Sequence, residues 1–449
     1  MKKKYFLPVI SLLIVCFAPY SVDSQEVKSF SLKDAQQYAV EYNYDVINSR
    51  TDVEIAKRTV KENTALGLPQ INGTINYNNN LKLRTTLMPG EFFGQPGEDI
   101  PVQFGTQHTG DVGATVSQLI FSGKYIVGLM TAKAFVDLRA DGVVKSEIEI
   151  KNIIAKSYYP VIILQENKKV FDSTLATLQN MLVETEAYYK SGFLEDTDVD
   201  QIELMISDIE ATITNINNQL SIAKNMLKYQ MGVEATVEIV VTDKLAEILA
   251  VVNRQYLLES PFDIQKNIDY KLLKDQEKFS GLKLRLQKTE YLPTLSAVYS
   301  YQQSAMRDDF NFFVSGRDWY ESQMLGISLQ VPIFSSGNRS NKVQKAKLEI
   351  EKLMVKDSQL KQGLAIKVET ARSVFDNAYL IYLNKKKSVE QAQKIYNKTQ
   401  IKYKSGMASS LNLSQTYNQF LVSQIQYLTS ILDLLNKKAD LEMILTRVE

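Results

Sequence analysis

Two hydrophobic periods alternate along this chain, one helical and one of two residues, and their order predicts its elements. From Ser31 to Leu66, Leu32, Ala35, Ala39, Tyr42, Val46, Val53, Ala56 and Val60 recur at helical spacing, and Ser31 with Asp34 forms a capping pattern. One continuous helix is expected there, ended by Gly67 and Pro69. From Ile71 the period changes to two. Ile71, Ile75, Tyr77, Leu81 and Leu83 face one way, and Asn72, Thr74, Asn76, Asn78, Asn80, Lys82 and Arg84 the other. A buried sheet rarely carries so many Asn on one face, whereas a strand between lipid and a water-filled lumen would.

Residues 85–107, with Met88-Pro89-Gly90 and Gln95-Pro96-Gly97 as turn signals, read as a long loop. A second alternating strand sets Val112, Ala114, Val116 and Ile120 against Asp111, Gly113, Thr115 and Ser117. Far downstream the arrangement returns. Leu295, Ala297, Tyr299 and Tyr301 alternate with Thr294, Ser296, Ser300 and Gln302; Leu325, Ile327, Leu329, Val331 and Ile333 alternate with Gly326, Ser328 and Gln330. Between them lies a loop with Asp308, Asp309, Phe312, Phe313 and Trp319. Four strands in two hairpins, spanning 70–121 and 294–334, are expected.

Each hairpin leads into a 67-residue stretch, Gly123 to Tyr189 and Gly337 to Tyr403. Unbroken helices of that length reach about 100 Å, too long for a compact core. Their return partners, 197–231 and 409–446, carry coiled-coil seams. Val199, Ile202, Ile206, Ile209, Ile213, Ile216, Leu220, Ala223 and Leu227 step by three and four, as do Leu421, Ile425, Leu428, Leu432, Leu435 and Ala439. Pro160 is expected to kink the first long helix. Between the copies, Ala235 to Val241 reads as a short strand and Lys244 to Val252 as a short helix, with a longer helix from Asp263 to Glu290 opening the second copy.

The duplication shows most clearly at the turns. Tyr189-Lys190-Ser191-Gly192 returns 214 positions later as Tyr403-Lys404-Ser405-Gly406, and the same offset joins Gly123 to Gly337 and Ala132-Lys133 to Ala346-Lys347. The chain therefore divides into a first repeat over 25–232, an insert over 233–261 and a second repeat over 262–449.

Composition changes the picture in three ways. Lys2, Lys3 and Lys4, an apolar run from Tyr5 to Pro19 and small residues near Ser24 have the layout of a secretory signal peptide, so residues 1–24 are expected to be removed on export. Cys16 would leave with them, and a lipid anchor on it is not expected because Val15 is too large for the usual processing site. Removal takes away three lysines and Asp23, leaving 49 basic and 50 acidic residues and a net charge of −1, which asks for no nucleic acid partner. After that segment no apolar run reaches the roughly 20 residues of a membrane-spanning helix. A membrane would have to be entered as strands.

Four strands cannot seal themselves in a bilayer, because unpaired edge groups in hydrocarbon cost several kcal/mol each and barrels of this kind start at about eight strands. Two copies would supply eight strands and three twelve; the wet faces favour the wider bore. At this point the chain resembles the TolC-type outer-membrane efflux factors. The resemblance is carried by Leu32-Lys33-Asp34-Ala35, Asn43, the entries Leu68-Pro69-Gln70-Ile71 and Leu292-Pro293-Thr294-Leu295, the exits Ile120-Phe121-Ser122-Gly123 and Ile333-Phe334-Ser335-Ser336-Gly337, and both Tyr-Lys-Ser-Gly tips. It implies a mainly α fold with membrane β: a homotrimer with a twelve-stranded β-barrel in outer-membrane lipid and a coiled-coil α-barrel reaching through the periplasm. It further implies an exit duct for a tripartite efflux or type I secretion system, working with a periplasmic adaptor protein and an inner-membrane transporter.

The resemblance also assigns residues. Adaptor contact falls on Ser191, Gly192 and Phe193 and on Ser405, Gly406 and Met407. A gate link falls on Asp198 and Tyr403. Ala408 stands where the family has a second, arginine gate partner, and Asn412 and Gln415 stand where it has aspartates ringing the tunnel mouth. Glu195, Asp196 and Asp200 lie close by and could form a different acidic collar, or could simply favour a helix N-terminus.

No cofactor or metal is expected, since His108 has no second His or Cys to share an ion and reads as a strand-end residue. Trp319, Tyr299 and Tyr301 suit an interfacial aromatic girdle. Neither a Ser-His-Asp set, a phosphate-cradling loop nor a paired-carboxylate arrangement stands out, so an enzyme is not expected. An exported coiled-coil adhesin or scaffold is the alternative from another class. It would share the long helices but would have no need of hairpins with one greasy face.

Overall fold

The computed structural model describes residues 27–94 and 96–448, so the export segment 1–24 and Cys16 lie outside the described residues. The chain opens with β1 (Val27–Phe30), α1 (Leu32–Tyr42) and α2 (Tyr44–Ala65). It continues through β2 (Gln70–Asn79), β3 (Thr85–Pro89), β4 (Asp99–Gln103) and β5 (His108–Ser122) into α3 (Gly123–Lys190) and α4 (Asp196–Met231). β6 (Glu238–Val241), α5 (Leu245–Ala250) and α6 (Arg254–Glu259) form the middle segment. The second copy comprises α7 (Ile268–Thr289), β7 (Thr294–Arg307), β8 (Tyr320–Gln330), α8 (Asn338–Lys404) and α9 (Ser410–Leu445).

The expected single helix over 31–66 is two helices. Ser31 caps α1 in a reciprocal box with Asp34, but Asn43 takes extended backbone and its side-chain oxygen accepts from the Asp45 and Val46 amides. Its Nδ2 donates to the Gln230 carbonyl at 2.8 Å, which ties the break to the end of α4. The apolar period runs across the break because both helices bury one side. Asn267 repeats the device at the start of α7, accepting from the Asp269 amide, and α2 and α7 are both 22 residues long. Gly232, which ends α4 with φ +74°, lies so close that a Cβ would come within 2.2 Å of the Tyr42 carbonyl oxygen. Only glycine fits there.

β1 and β6 pair in parallel, Val27 opposite Glu238 through Phe30 opposite Val241, a pairing of the chain start with the middle segment that the period alone did not reveal. This two-stranded sheet seats on the middle of α3, where Ile154, Tyr158, Ile162, Leu227, Met231, Ile431 and Leu435 form a core. The Tyr158 hydroxyl donates to the Phe30 carbonyl at 2.8 Å, and burial pushes its pKa well above the usual phenol range. α3 runs through Pro160 as a single helix.

The main sheet is antiparallel in the order β2-β5-β7-β8, and the outer edges of β2 and β8 have no strand partner among the described residues. Several strand expectations need correction. β2 ends at Asn79, leaving Leu81 and Leu83 beyond it, and the expected loop 85–107 contains the β3–β4 hairpin. In β5 the register slips between Leu119 and Phe121, so Ile120 is bulged out of the alternation. β8 ends at Gln330, leaving Val331 and Ile333 outside the strand.

The first return seam packs as its period predicts: Ile202, Ile209, Ile216 and Leu227 are buried. In α9 the buried stripe is rotated. Leu428, Leu435 and Ala439 are buried as expected, but Ile425 is 52% exposed, and Leu413, Tyr417, Phe420, Ile431, Leu434 and Leu441 fill the interface. The two long hairpins meet along these stripes, which places both Lys-Ser-Gly turns at one end of the molecule and the sheet at the other.

Candidate functional site

Both tips are built the same way. Gly192 (φ +78°) and Gly406 (φ +70°) end their helices in the left-handed conformation that glycine adopts freely. The Phe193 amide donates back to the Tyr188 carbonyl at 3.0 Å, and the Met407 amide to the Lys402 carbonyl at 2.8 Å. In such caps the residue after the glycine often folds back onto the helix. Here it does not, since Phe193 is 79% and Met407 72% exposed. Each tip therefore presents one large apolar side chain to its surroundings, beside exposed Ser191 and Ser405.

Behind the tips the hairpins are pinned together. Tyr403, buried, shares a hydrogen bond with the Thr185 hydroxyl at 3.2 Å. Burial raises its pKa, with the Thr185 bond opposing and the nearby Asp198 charge adding to the rise. The carboxylate of Asp198 is engaged elsewhere, accepting from the Glu195 amide at 3.2 Å in the cap of α4. Within one chain, then, Thr185 rather than Asp198 bonds Tyr403. Thr185 escaped the sequence reading, yet it carries a signal: Leu178, Met181 and Thr185 step by three and four, so a hydroxyl sits on a buried stripe.

Lys404 pairs with Glu184 at 2.7 Å, and Gln201 Nε2 donates to Ser414 Oγ at 3.1 Å, both joining the two hairpins. Ala408 packs half-buried against the core behind the tips. Glu195, Asp196 and Asp200 are exposed at the start of α4, and Asn412 and Gln415 at the start of α9. Asp196 and Glu195 are partly used locally, accepting from the Thr197 amide and hydroxyl respectively. Ser409 caps the Asn412 amide, the role that the Glu195 box plays one repeat earlier.

At the other end, the sheet has two unlike faces. Register places Ile71, Val116, Tyr299 and Leu325 in one cross-strand row and Ala297 beside Ile327 on the same face. Ile75 is 81% and Ile327 74% exposed on that face. The opposite face carries Asn72, Thr74, Asn76 and Asn78, and Asp111, which accepts from Gln302 Nε2 at 2.8 Å and Ser304 Oγ at 2.6 Å. His108 begins β5 and its Nδ1 shares a hydrogen bond with the Tyr77 hydroxyl at 2.9 Å. No group of three or more His, Cys, Asp or Glu among the described residues could hold a metal. No described helix is long and apolar enough to cross a membrane.

Residues 282–447 match the family model described as outer membrane efflux protein. The outer membrane protein TolC of Vibrio cholerae serotype O1 is 21% identical over 324 residues, 72% of this chain and 69% of the relative. Among solved structures, CusC superposes with a TM-score of 0.70 at 15% identity, over 93% of this chain and 92% of that one. The open state of the Neisseria gonorrhoeae MtrE outer membrane channel gives 0.69 at 16% identity, over 99% and 97%. VceC from Vibrio cholerae gives 0.66 at 13% identity, over 93% and 96%.

Proposed function

We propose that this chain is an outer-membrane efflux channel of the TolC type, the exit duct through which a periplasmic adaptor and an inner-membrane transporter pass substrates out of the cell. It lies in the outer membrane and extends into the periplasm. The observation that carries the reading is the four-stranded sheet, apolar and exposed on one face, polar on the other, and open at both edges. In hydrocarbon each unpaired edge group costs several kcal/mol, so copies must complete the ring. Three copies give twelve strands, enough for a wet bore, with outer-membrane lipid against Ile75 and Ile327.

The tips form the far mouth of the duct. Ser191, Gly192 and Phe193, with Ser405, Gly406 and Met407, are the surface for the adaptor, because each turn projects an apolar side chain instead of folding it back. Tyr403 holds the closed state with Thr185, while Asp198 supplies a charge nearby. Glu195, Asp196 and Asp200 in three copies focus negative potential at the mouth, beside the neutral Asn412 and Gln415. A conduit of this kind works by confinement and gating, without catalytic groups.

The test is conductance across a planar bilayer of the purified protein, alone and after opening of the tips by Tyr403→Phe. Discrete conducting steps support the duct. A protein that adsorbs to membranes and never conducts is a scaffold or adhesin.

A further inference from the structure

The loop between β7 and β8, residues 308–319, does not extend freely from the end of the sheet. Its aromatic side chains turn back onto one face. Phe310 and Phe312 stand edge-on to Tyr77, with ring centroids 5.3 Å and 5.8 Å away, and Phe310 lies 6.2 Å from His108. Phe312 leaves so little room over β5 that a Cβ on Gly110 would come within 2.8 Å of its ring. Trp319 closes the group against Phe312 at 6.1 Å. The Arg307 guanidinium donates to the Asp318 carbonyl and so ties the two ends of the loop.

Which face is covered follows from register. Tyr77 is opposite Gly110, and Gly110 is opposite Ala305, while Ile75, two residues before Tyr77, is opposite Val112. Period two puts Tyr77, His108, Gly110 and Ala305 on the same face as Ile71 and Ile75. The loop therefore covers the apolar face, not the Asn-rich one, and Ala305 beneath it is 0% exposed. It does so at the end of the sheet remote from the helices, which all join at Gln70, Ser122, Thr294 and Gln330. Having used Phe312 to seat itself, the loop leaves Phe310, Phe313 and Val314 exposed, Phe313 at 91%. Asp308, Asp309, Arg317 and Asp318 flank them.

We infer that this loop is an interfacial anchor, which seats Phe310, Phe313 and Val314 in the outer leaflet at the boundary between headgroups and acyl chains. The occupant is lipid because the exposed side chains continue the apolar face along β2 and β5, from Ile75 and Val112 through Tyr77 to the loop, while Gln303 and Glu321 interrupt that face only on β7 and β8. The charged flanks match the headgroup layer, and aromatic side chains favour that depth. The inference rests on the outer-membrane reading above and extends it from the strands to the loop. In three copies the anchors brace the rim of the barrel from outside and leave its exit open.

The experiment places an indole at the tip by Phe313→Trp in a Trp319→Phe background, and for comparison on the strand by Ile75→Trp in the same background. The intact protein is reconstituted into phosphatidylcholine vesicles with acyl chains brominated near either the carbonyl or the methyl end. Fluorescence at position 313 should be lost to bromine near the carbonyl end and preserved against iodide in the water. Quenching by iodide alone, or by neither agent, would overturn the anchor, placing the tip in water or against a neighbouring copy. If position 75 is quenched by deep bromine while 313 is quenched by bromine at neither depth, the barrel stands and the anchor fails. If bromine quenches neither, the membrane reading fails and the anchor with it. Val314→Trp gives the same readout should Phe313→Trp not assemble.

Discussion

Tyr403 is a phenol that must be hydrogen-bonded where it sits, because α8 buries it between the hairpins. A buried hydrogen bond contributes about 1 kcal/mol, roughly a fivefold change in a two-state equilibrium. Tyr403→Phe is therefore expected to raise resting conductance, and Thr185→Val, which removes the other end of the bond, to raise it similarly. Conductance unchanged in both would mean that this contact does not hold the tip. Asn43 and Asn267 show the same economy at helix starts. Asn267→Ala should cost about 1 kcal/mol of stability, and Asn43→Ala more, since it also frees the Gln230 carbonyl; the shifts in thermal unfolding temperature report both. These residues differ in how legible they are. The positive-φ glycines at 192 and 406 could be read from Lys-Ser-Gly because one backbone geometry demands them. The bond from Tyr403 to Thr185 joins residues 218 apart, so period alone does not reveal it.

Elements were legible where one face decides the pattern. The strands alternate because one side is apolar, and α4 keeps its heptad because its seam meets mainly α3, with α9 and α1 touching it less. α9 departed from its expected stripe because it packs against α8, α3 and α4 together, so more than one face is apolar and period cannot choose between them. β1 and the break at Asn43 were missed for the opposite reason: four residues are too short to show a period, and a cap leaves the period intact. For the strands, Ile75→Arg or Ile327→Arg should cost about 2 to 4 kcal/mol if the site lies at mid-bilayer. Normal assembly of Ile75→Arg in the outer membrane would reverse the assignment of faces. The α3–α7 interface has its own pH signature. Burial, together with the Asp141 carboxylate that faces it, raises the pKa of Asp275 to about 6, while Lys278 and Lys271 oppose the rise. The folded state thus holds this proton more tightly than the unfolded chain, whose value is the ordinary 3.8. The stability it contributes is present below that value and is lost as pH rises through about 6. Asp275→Asn should flatten that part of the dependence of unfolding temperature on pH, leaving the neighbouring pairs Lys271–Asp141, Lys278–Asp137 and Lys145–Asp269 in place.

At the scale of the whole molecule, the duplication explains why one chain has two tips, two hairpins and two 22-residue helices with asparagine caps. It also explains what the chain lacks. Four strands leave two open edges, and the long helices leave apolar side chains such as Val355, Ile366 and Ile401 exposed, surface that copies of the chain would cover. Everything proposed for tip, gate and anchor depends on that completion. Native mass spectrometry of the detergent-solubilised protein tests it most directly. A particle of three chains is predicted, and a stable single chain with its apolar sheet face in water would contradict the account.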